Sequence, residues 1–287
     1  MKCNERSKLA RLPVETRIRI YEKVMEMKNL PPKQIYERLK NFNLNLNIET
    51  IRTWIKGTKN PKRKLNLMKK FDEKLSYLTG AILGDGCFYI PNNLMGRIVF
   101  GVKDVDIARK VASALTHVLG KEKMYKVRWN KKLKLYIVEG CSKHLVEFLQ
   151  KPLHQLREIL DKYPLEFLKG IYDTEGSVNI KKQRDRIYPR IFLTNSNLDL
   201  LLYVQELLRK IGINSRIYKN TKAGKKKIIN GKITSTTKDC YNLCIQTLDG
   251  IDKFVKLISF TSKEKSRKIK RAIELIKKCR NKKALDF

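Results

Sequence analysis

LTGAILGDG, from Leu78 to Gly86, and LKGIYDTEG, from Leu168 to Gly176, are two spellings of one phrase. Each is apolar, carries small residues at helical spacing, and closes on a single acid followed by glycine. The likeness runs further than the phrase. LSYLTGAILGDGCFYI from Leu75 lies over LEFLKGIYDTEGSVNI from Leu165 with five identities in sixteen positions. After an insertion of three residues, RIVFGVKDVDIARKV from Arg97 lies over RIFLTNSNLDLLLYV from Arg190. A repeat unit of roughly 90 to 110 residues is a duplicated domain, too long for the unit of a solenoid.

Both halves read alike. A helix runs into the acid-glycine stop, where Gly86 and Gly176 are expected to end it in the left-handed conformation. Alternating apolar positions then predict strands at Cys87–Ile90 and Arg97–Val102, and at Ser177–Ile180 and Arg190–Thr194. Amphipathic helices follow at Val105–Leu119 and Leu198–Ile211, the second stopped by Gly212. Further strands are expected at Lys123–Trp129 and Leu133–Glu139, and at Ser215–Tyr218 and Tyr241–Thr247, before closing helices at Ser142–Leu149 and Gly250–Ile258. The order αββαββα, written twice, predicts an α+β fold. The second half also holds a basic insertion, Lys219–Lys238, which is either a solvated loop or a strand extension able to follow a phosphate backbone.

Residues 1–74 lie outside the repeat. Val14–Met27, Pro32–Lys40 and Ile48–Lys56 are predicted helices, and PPKQIYERLKNFNLNLNIETIRTWIKG resembles a helix-turn-helix. In that reading Glu49, Thr50, Arg52, Thr53 and Lys56 face outward, while Ile48, Ile51 and Ile55 are core. A helical bundle making protein contacts is the plainer alternative. The expected organisation is therefore a DNA-binding domain over 1–60, a basic linker over 61–70, a first repeat over 71–162 and a second over 163–287.

Composition narrows the function. Lys and Arg number 64 against 28 acids, a formal charge of +36. The excess is spread along the chain, and the segment through Lys74 carries 20 basic and 8 acidic residues. With 42% hydrophobic residues this is a folded body and not a disordered polycation. A diffuse positive charge of this size points to a polyanion, most simply nucleic acid. No apolar run reaches the roughly 18 residues of a membrane span, and no signal-peptide core is present. The six cysteines form no CxxC pair, and Cys240 and Cys244 fall in a strand pattern, so no zinc site is expected. Unpaired thiols fit a reducing cytoplasm.

Placed last in their helices, Asp85 and Glu175 sit where the helix dipole is already negative, a place better suited to lysine. Two such helices packed side by side bring both carboxylates together, and their repulsion calls for a bound cation or raised pKa values. Paired carboxylates and a divalent metal in a strongly basic protein point to phosphodiester hydrolysis.

The two phrases closely resemble the LAGLIDADG motif, and their spacing resembles the double-motif monomeric form of the LAGLIDADG homing endonucleases, over about residues 70–280. The resemblance implies a pseudo-two-fold monomer whose two antiparallel sheets saddle double-stranded DNA. It implies helices that pair at the centre and a staggered double-strand cut dependent on Mg²⁺ or Mn²⁺. It makes Asp85 and Glu175 catalytic, with Gly84 and Thr174 beside them at the metal. It also places Lys103 and Asn195 just after the second strand of each half, and Lys263 or Lys265 near the start of the last helix. Arg97 and Arg190 on the strands, Lys225, Lys226 and Lys227 on the insertion, and Arg52 and Lys56 on the N-terminal domain are the expected DNA contacts. Leu83 departs from the motif's first acid, which Asp173 keeps, and Val102 is apolar where the family often has a polar residue. An intron-encoded origin, a prokaryotic or archaeal cytoplasm and no membrane follow as expectations. The alternatives are an RNA maturase binding intron RNA and a transcription regulator on a catalytically dead scaffold.

Overall fold

The computed structural model describes residues 12, 14–40, 46–61, 72–90, 96–183, 186–229 and 232–285. The linker expected over 61–70 lies, apart from Pro61, outside the described residues. The chain forms two compact units, Met1–Lys70 with Tyr89–Arg97 and Cys141–Phe148, and Phe71–Phe88 with Ile98–Gly140 and Leu149–Phe287.

The first unit is built on α1 (Val14–Glu26), α2 (Pro32–Lys40) and α3 (Ile48–Ile55). Asn47 caps α3, its side chain accepting from the Glu49 N–H at 2.9 Å. The core of these helices gathers Ile20, Val24, Ile35, Leu39, Leu46, Ile51 and Trp54. Trp54 is the anchor that the sequence reading passed over, set edge-on to Tyr21 with centroids 5.4 Å apart. Ile55 packs against this core and is only partly buried, as is Ile48.

Apart from Tyr89–Arg97 and Cys141–Phe148, which cluster with the first unit, the duplication lies in the second. Its first half runs α4 (Glu73–Asp85), β1 (Gly86–Tyr89), β2 (Arg97–Val102), α5 (Val105–Val118), β3 (Val127–Asn130), β4 (Leu135–Cys141) and α6 (Lys143–Leu149). After α7 (Leu153–Leu160), which was not foreseen, the second half runs α8 (Pro164–Glu175), β5 (Gly176–Gln183), β6 (Arg186–Asn195), α9 (Leu198–Lys210) and β7 (Arg216–Thr221). It continues with β8 (Lys226–Ile229), β9 (Lys232–Ser235), β10 (Cys240–Ile245), α10 (Leu248–Leu257) and α11 (Lys263–Leu285). The sheets are four-stranded and topologically equivalent, β1-β2-β4-β3 and β5-β6-β10-β7. The fold is α+β, with αββαββα twice.

Local chemistry moved several boundaries. The strand expected from Lys123 begins at Val127, and β4 begins at Leu135 and not at Leu133, because the turn between them needs Lys134 at φ 54° and an Asn130 side chain that accepts from the Leu133 N–H. Thr247, expected in a strand, instead caps α10 by accepting from the Gly250 N–H at 3.2 Å. The insertion Lys219–Lys238 begins as an extension of β7, which runs to Thr221 paired with β10 (Cys240–Ile245). Its β8 and β9 form a separate two-stranded ribbon. Asp239 closes the base of that insertion, accepting from Lys219 Nζ at 2.6 Å and from the Ala223 N–H at 2.8 Å.

The motif helices α4 and α8 pack along each other at backbone distance. A Cβ on Gly80 would lie 2.3 Å from the Phe167 carbonyl oxygen, and one on Gly170 would lie 2.1 Å from that of Tyr77. Glycine at these two positions is therefore a packing requirement. Both helices are buried nearly all round, which is why their sequences lack a clear polar face.

Candidate functional site

Because α4 and α8 touch along their length, their last residues arrive together. Gly84 faces the other helix directly, and a Cβ there would meet the Thr174 hydroxyl at 2.2 Å and Glu175 Cγ at 3.1 Å. Gly86 and Gly176 do not stop the helices in the left-handed region as expected. Their φ/ψ values are −86°/147° and −74°/140°, so each helix turns straight into a strand. Glycine is required there because a Cβ would fall 2.6 Å from the Ile82 oxygen or 2.1 Å from the Tyr172 oxygen.

Asp85 ends α4 and Glu175 ends α8. Glu175 is pushed up from 4.5 to about 7, first by burial and then by the charge of Asp85, against the opposing pull of Asn195 and Lys265. Asp85 is also raised, by desolvation, with Lys265 opposing. Glu175 thus senses the charge of Asp85, and both acids sense the same ammonium group.

That group settles which of two lysines lies among the acids. Lys265 donates to the carbonyl oxygens of Gly176 at 2.6 Å and Asp173 at 3.0 Å. Burial lowers its pKa, while Asp173, Asp104, Asp85 and Glu175 hold it up. Lys263, by contrast, is 80% exposed and reaches Asp106 at 3.7 Å. Asn195 Nδ2 donates to Glu175 Oε1 at 3.2 Å, and its oxygen accepts from the Asn197 N–H. Lys103 is exposed just beyond β2. Val102 occupies the position equivalent to Asn195, so a side chain holds the acid of one half only.

Gly84, expected beside the metal, has no side chain to offer, and the Thr174 hydroxyl donates back to its own helix, at Ile171 O (3.0 Å) and Gly170 O (3.3 Å).

Asp173 is the residue whose role the sequence did not reveal. It is fully buried. Its Oδ2 accepts from Tyr77 OH at 2.9 Å and Thr261 Oγ1 at 2.5 Å, and its Oδ1 accepts from the Thr261 N–H at 2.7 Å. The carboxylate ties α8 to α4 and to the turn at Thr261 that leads into α11, the helix that carries Lys265. Retention of the motif's first acid in one copy alone was the only signal of it.

The expected DNA contacts are scattered. Arg52 is exposed and pairs with Glu49 at 3.4 Å, and Lys56 is exposed at the end of α3. Arg97 is exposed at the start of β2, while Arg190 is partly buried in β6. Lys225 is exposed just before the ribbon, and Lys226 and Lys227 open β8.

Residues 162–259 match the profile of the LAGLIDADG-like domain. A protein of Methanocaldococcus jannaschii of uncharacterized function is 29% identical over 269 residues, which is 90% of this chain and 93% of its own length. The homing endonuclease I-DmoI of Desulfurococcus mucosus is 27% identical over 155 residues, half of this chain and 73% of the relative. The crystal structure of I-DmoI in complex with DNA and Mn superposes with a TM-score of 0.47 at 21% identity, covering 66% of this chain and 98% of that one. Among the described residues no helix is long and apolar enough to cross a membrane.

Proposed function

We propose that the chain is a site-specific DNA endonuclease that hydrolyses one phosphodiester in each strand of a duplex, with Asp85 and Glu175 sharing divalent metal. One observation carries this reading. Two carboxylates end two helices whose backbones touch, both have raised pKa values, and one lysine, held by neighbouring backbone carbonyls, acts on both. A structural helix end gains nothing from such repulsion.

The donor set fits a hard ion such as Mg²⁺ or Mn²⁺, which takes oxygen ligands. Among the described residues no cluster of three or more His, Cys, Asp or Glu could enclose a metal. The two acids therefore supply part of a coordination shell and leave the rest to water and phosphate oxygen. When bound, the metal supplies Lewis acidity at the phosphate and neutralises the two acids. Asn195 fixes the orientation of Glu175. Lys265, held by two backbone carbonyls, presents its ammonium to charge that grows on the phosphate in the transition state.

The relationship to a homing endonuclease supports the reading, and so does the charge of +36. The N-terminal helices, with Arg52 and Lys56 outermost, add a second grip on the duplex in the manner of a helix-turn-helix. The test is a supercoiled plasmid carrying the sequence that flanks the gene, rejoined without it, incubated with Mg²⁺ or Mn²⁺. The wild-type chain should linearise it, and Asp85→Asn and Glu175→Gln should each fail to. Linearisation by both variants at the wild-type rate would dismiss these acids as catalytic.

A further inference from the structure

The two sheets start at the two acids, β1 directly after Asp85 and β5 directly after Glu175. A duplex with its scissile phosphates at the acids must run along the faces of both sheets that the helices leave open. Those faces are chemically unequal. In the second sheet Val178, Ile191, Leu193 and Leu243 are buried, which puts the alternate positions on the other face, where Phe192 and the buried Cys244 form an apolar centre among polar neighbours. Register sets Asn179 opposite Arg190, Thr194 opposite Asn242, and Asn242 opposite Tyr218, with Arg216 next along the edge. The Thr194 hydroxyl donates to Asn242 Oδ1 at 2.7 Å, and Asn242 Nδ2 lies 3.5 Å from Tyr218 OH, so the row is held in place. The four strands carry six Lys or Arg and no acid.

The first sheet is different. Ile98, Phe100 and Val138 are buried, and Gly140 lies under Leu115 of α5. The opposite face therefore shows Val99, Gly101, Leu135 and Ile137, flanked by Arg97, Asn130 and the Arg128–Glu139 pair. A Cβ on Gly101 would meet Ile137 Cδ1 at 3.0 Å and Leu135 Cδ1 at 3.4 Å, which confirms that they share one face. Its strands hold two arginines and one acid, and that acid, Glu139, already pairs with Arg128 at 2.5 Å.

We propose that base readout by this protein is lopsided: the open face of the second sheet reads its half of the duplex through hydrogen bonds, whereas the first sheet meets its half through apolar contact and DNA shape. The inference rests on the endonuclease reading for the placement of the duplex. Arginine and asparagine discriminate bases in the major groove by paired hydrogen bonds, while aliphatic side chains distinguish little beyond the thymine methyl. The target is then an asymmetric site with one stringent and one tolerant half. Arg190, Asn242, Arg216 and Asn179 are the specificity-determining residues.

Selection of bound duplexes from a random-sequence library, with the full chain and no divalent metal, tests this without requiring cleavage. The recovered consensus should concentrate its information in one half. Arg190→Ala and Asn242→Ala should flatten that half and weaken the selected duplex about tenfold each. Val99→Ala and Ile137→Ala should leave it intact. Thermal unfolding checks that the variants fold, and Arg216→Ala replaces Asn242→Ala should the latter not. Equal information in the two halves, or an informative half that responds to Val99 and Ile137, overturns the inference and leaves the endonuclease reading standing. Retention of no duplex at low salt overturns both. A lopsided consensus with no cleavage of the selected site under Mg²⁺ sinks the endonuclease reading alone.

Discussion

Glu175 is a carboxyl group whose folded-state pKa, about 7, lies above its ordinary 4.5. The folded protein therefore holds this proton more tightly than the unfolded chain does. Its contribution to stability is present at low pH and is lost as pH rises from about 4.5 to about 7. Without metal, the unfolding midpoint of Glu175→Gln should overtake that of the wild type across this window, and should match it more closely near pH 4 to 5. Added Mg²⁺ should raise the wild-type midpoint and leave that of the variant nearly unchanged. Parallel curves for the two proteins would mean that burial and Asp85 do not raise the Glu175 carboxyl. The lysines divide in the same way. Lys265 lies among the acids and Lys103 is exposed beyond β2, so Lys265→Met should slow single-turnover cleavage by about a hundredfold or more. Lys103→Met should cost about tenfold at most, and a larger effect there would return Lys103 to the chemistry. The paired acids were legible in the sequence because a charge opposing the helix dipole, repeated in register, has no structural purpose. Lys265 and Asp173 were not, since their meaning lies in contacts such as Thr261 to Asp173, made across 88 residues of chain.

At the scale of elements, the pairing of α4 with α8 decides whether a site exists. Gly170 lies against the Tyr77 carbonyl and Gly80 against that of Phe167. Neither contact can yield by rotating a side chain, because the opposing atoms are backbone. Gly170→Ala should therefore force the helices apart, lowering the unfolding midpoint by roughly 10 °C and abolishing cleavage even where binding persists. A variant with wild-type stability and activity would show that the helices do not meet there. The small-residue spacing made this pairing readable in advance, as did the order of helices and strands in both halves. What escaped was set by single side chains acting on local backbone. Thr247 chose a cap over a strand, and Asn130 with Lys134 shortened a hairpin. The stops at Gly86 and Gly176 were read as left-handed because glycine after a helix usually is. Here the chain leaves in an extended conformation, and the glycines answer a steric demand from the preceding turn.

For the molecule as a whole, charge is the dominant physical fact, and its distribution matters more than its total. A protein carrying +36 will bind duplex DNA of any sequence at low salt, so affinity alone says little about its site. The informative quantity is the dependence on salt. Neutralising about ten phosphates gives a log–log slope near −9, and the slope should be almost the same for random and selected duplexes. Individual contributions follow from what each cation already touches. Arg128 is engaged by Glu139 on the sparsely charged first sheet, so Arg128→Ala should leave the slope unchanged within error. Arg216 is exposed on an edge strand of a sheet without acids, and Arg216→Ala should reduce its magnitude by about 1. Removing the N-terminal helices should subtract several more if, as proposed, Arg52 and Lys56 add grip on the duplex and no chemistry. The measurement is a fluorescence-anisotropy titration of one labelled duplex over a series of KCl concentrations, for the full chain and each variant. A wild-type slope shallower than about −3 would mean that the basic surface is not a DNA footprint. Equal losses from Arg128→Ala and Arg216→Ala would mean that the duplex lies on both sheets alike, and the division of labour between the two repeats would fall with that result.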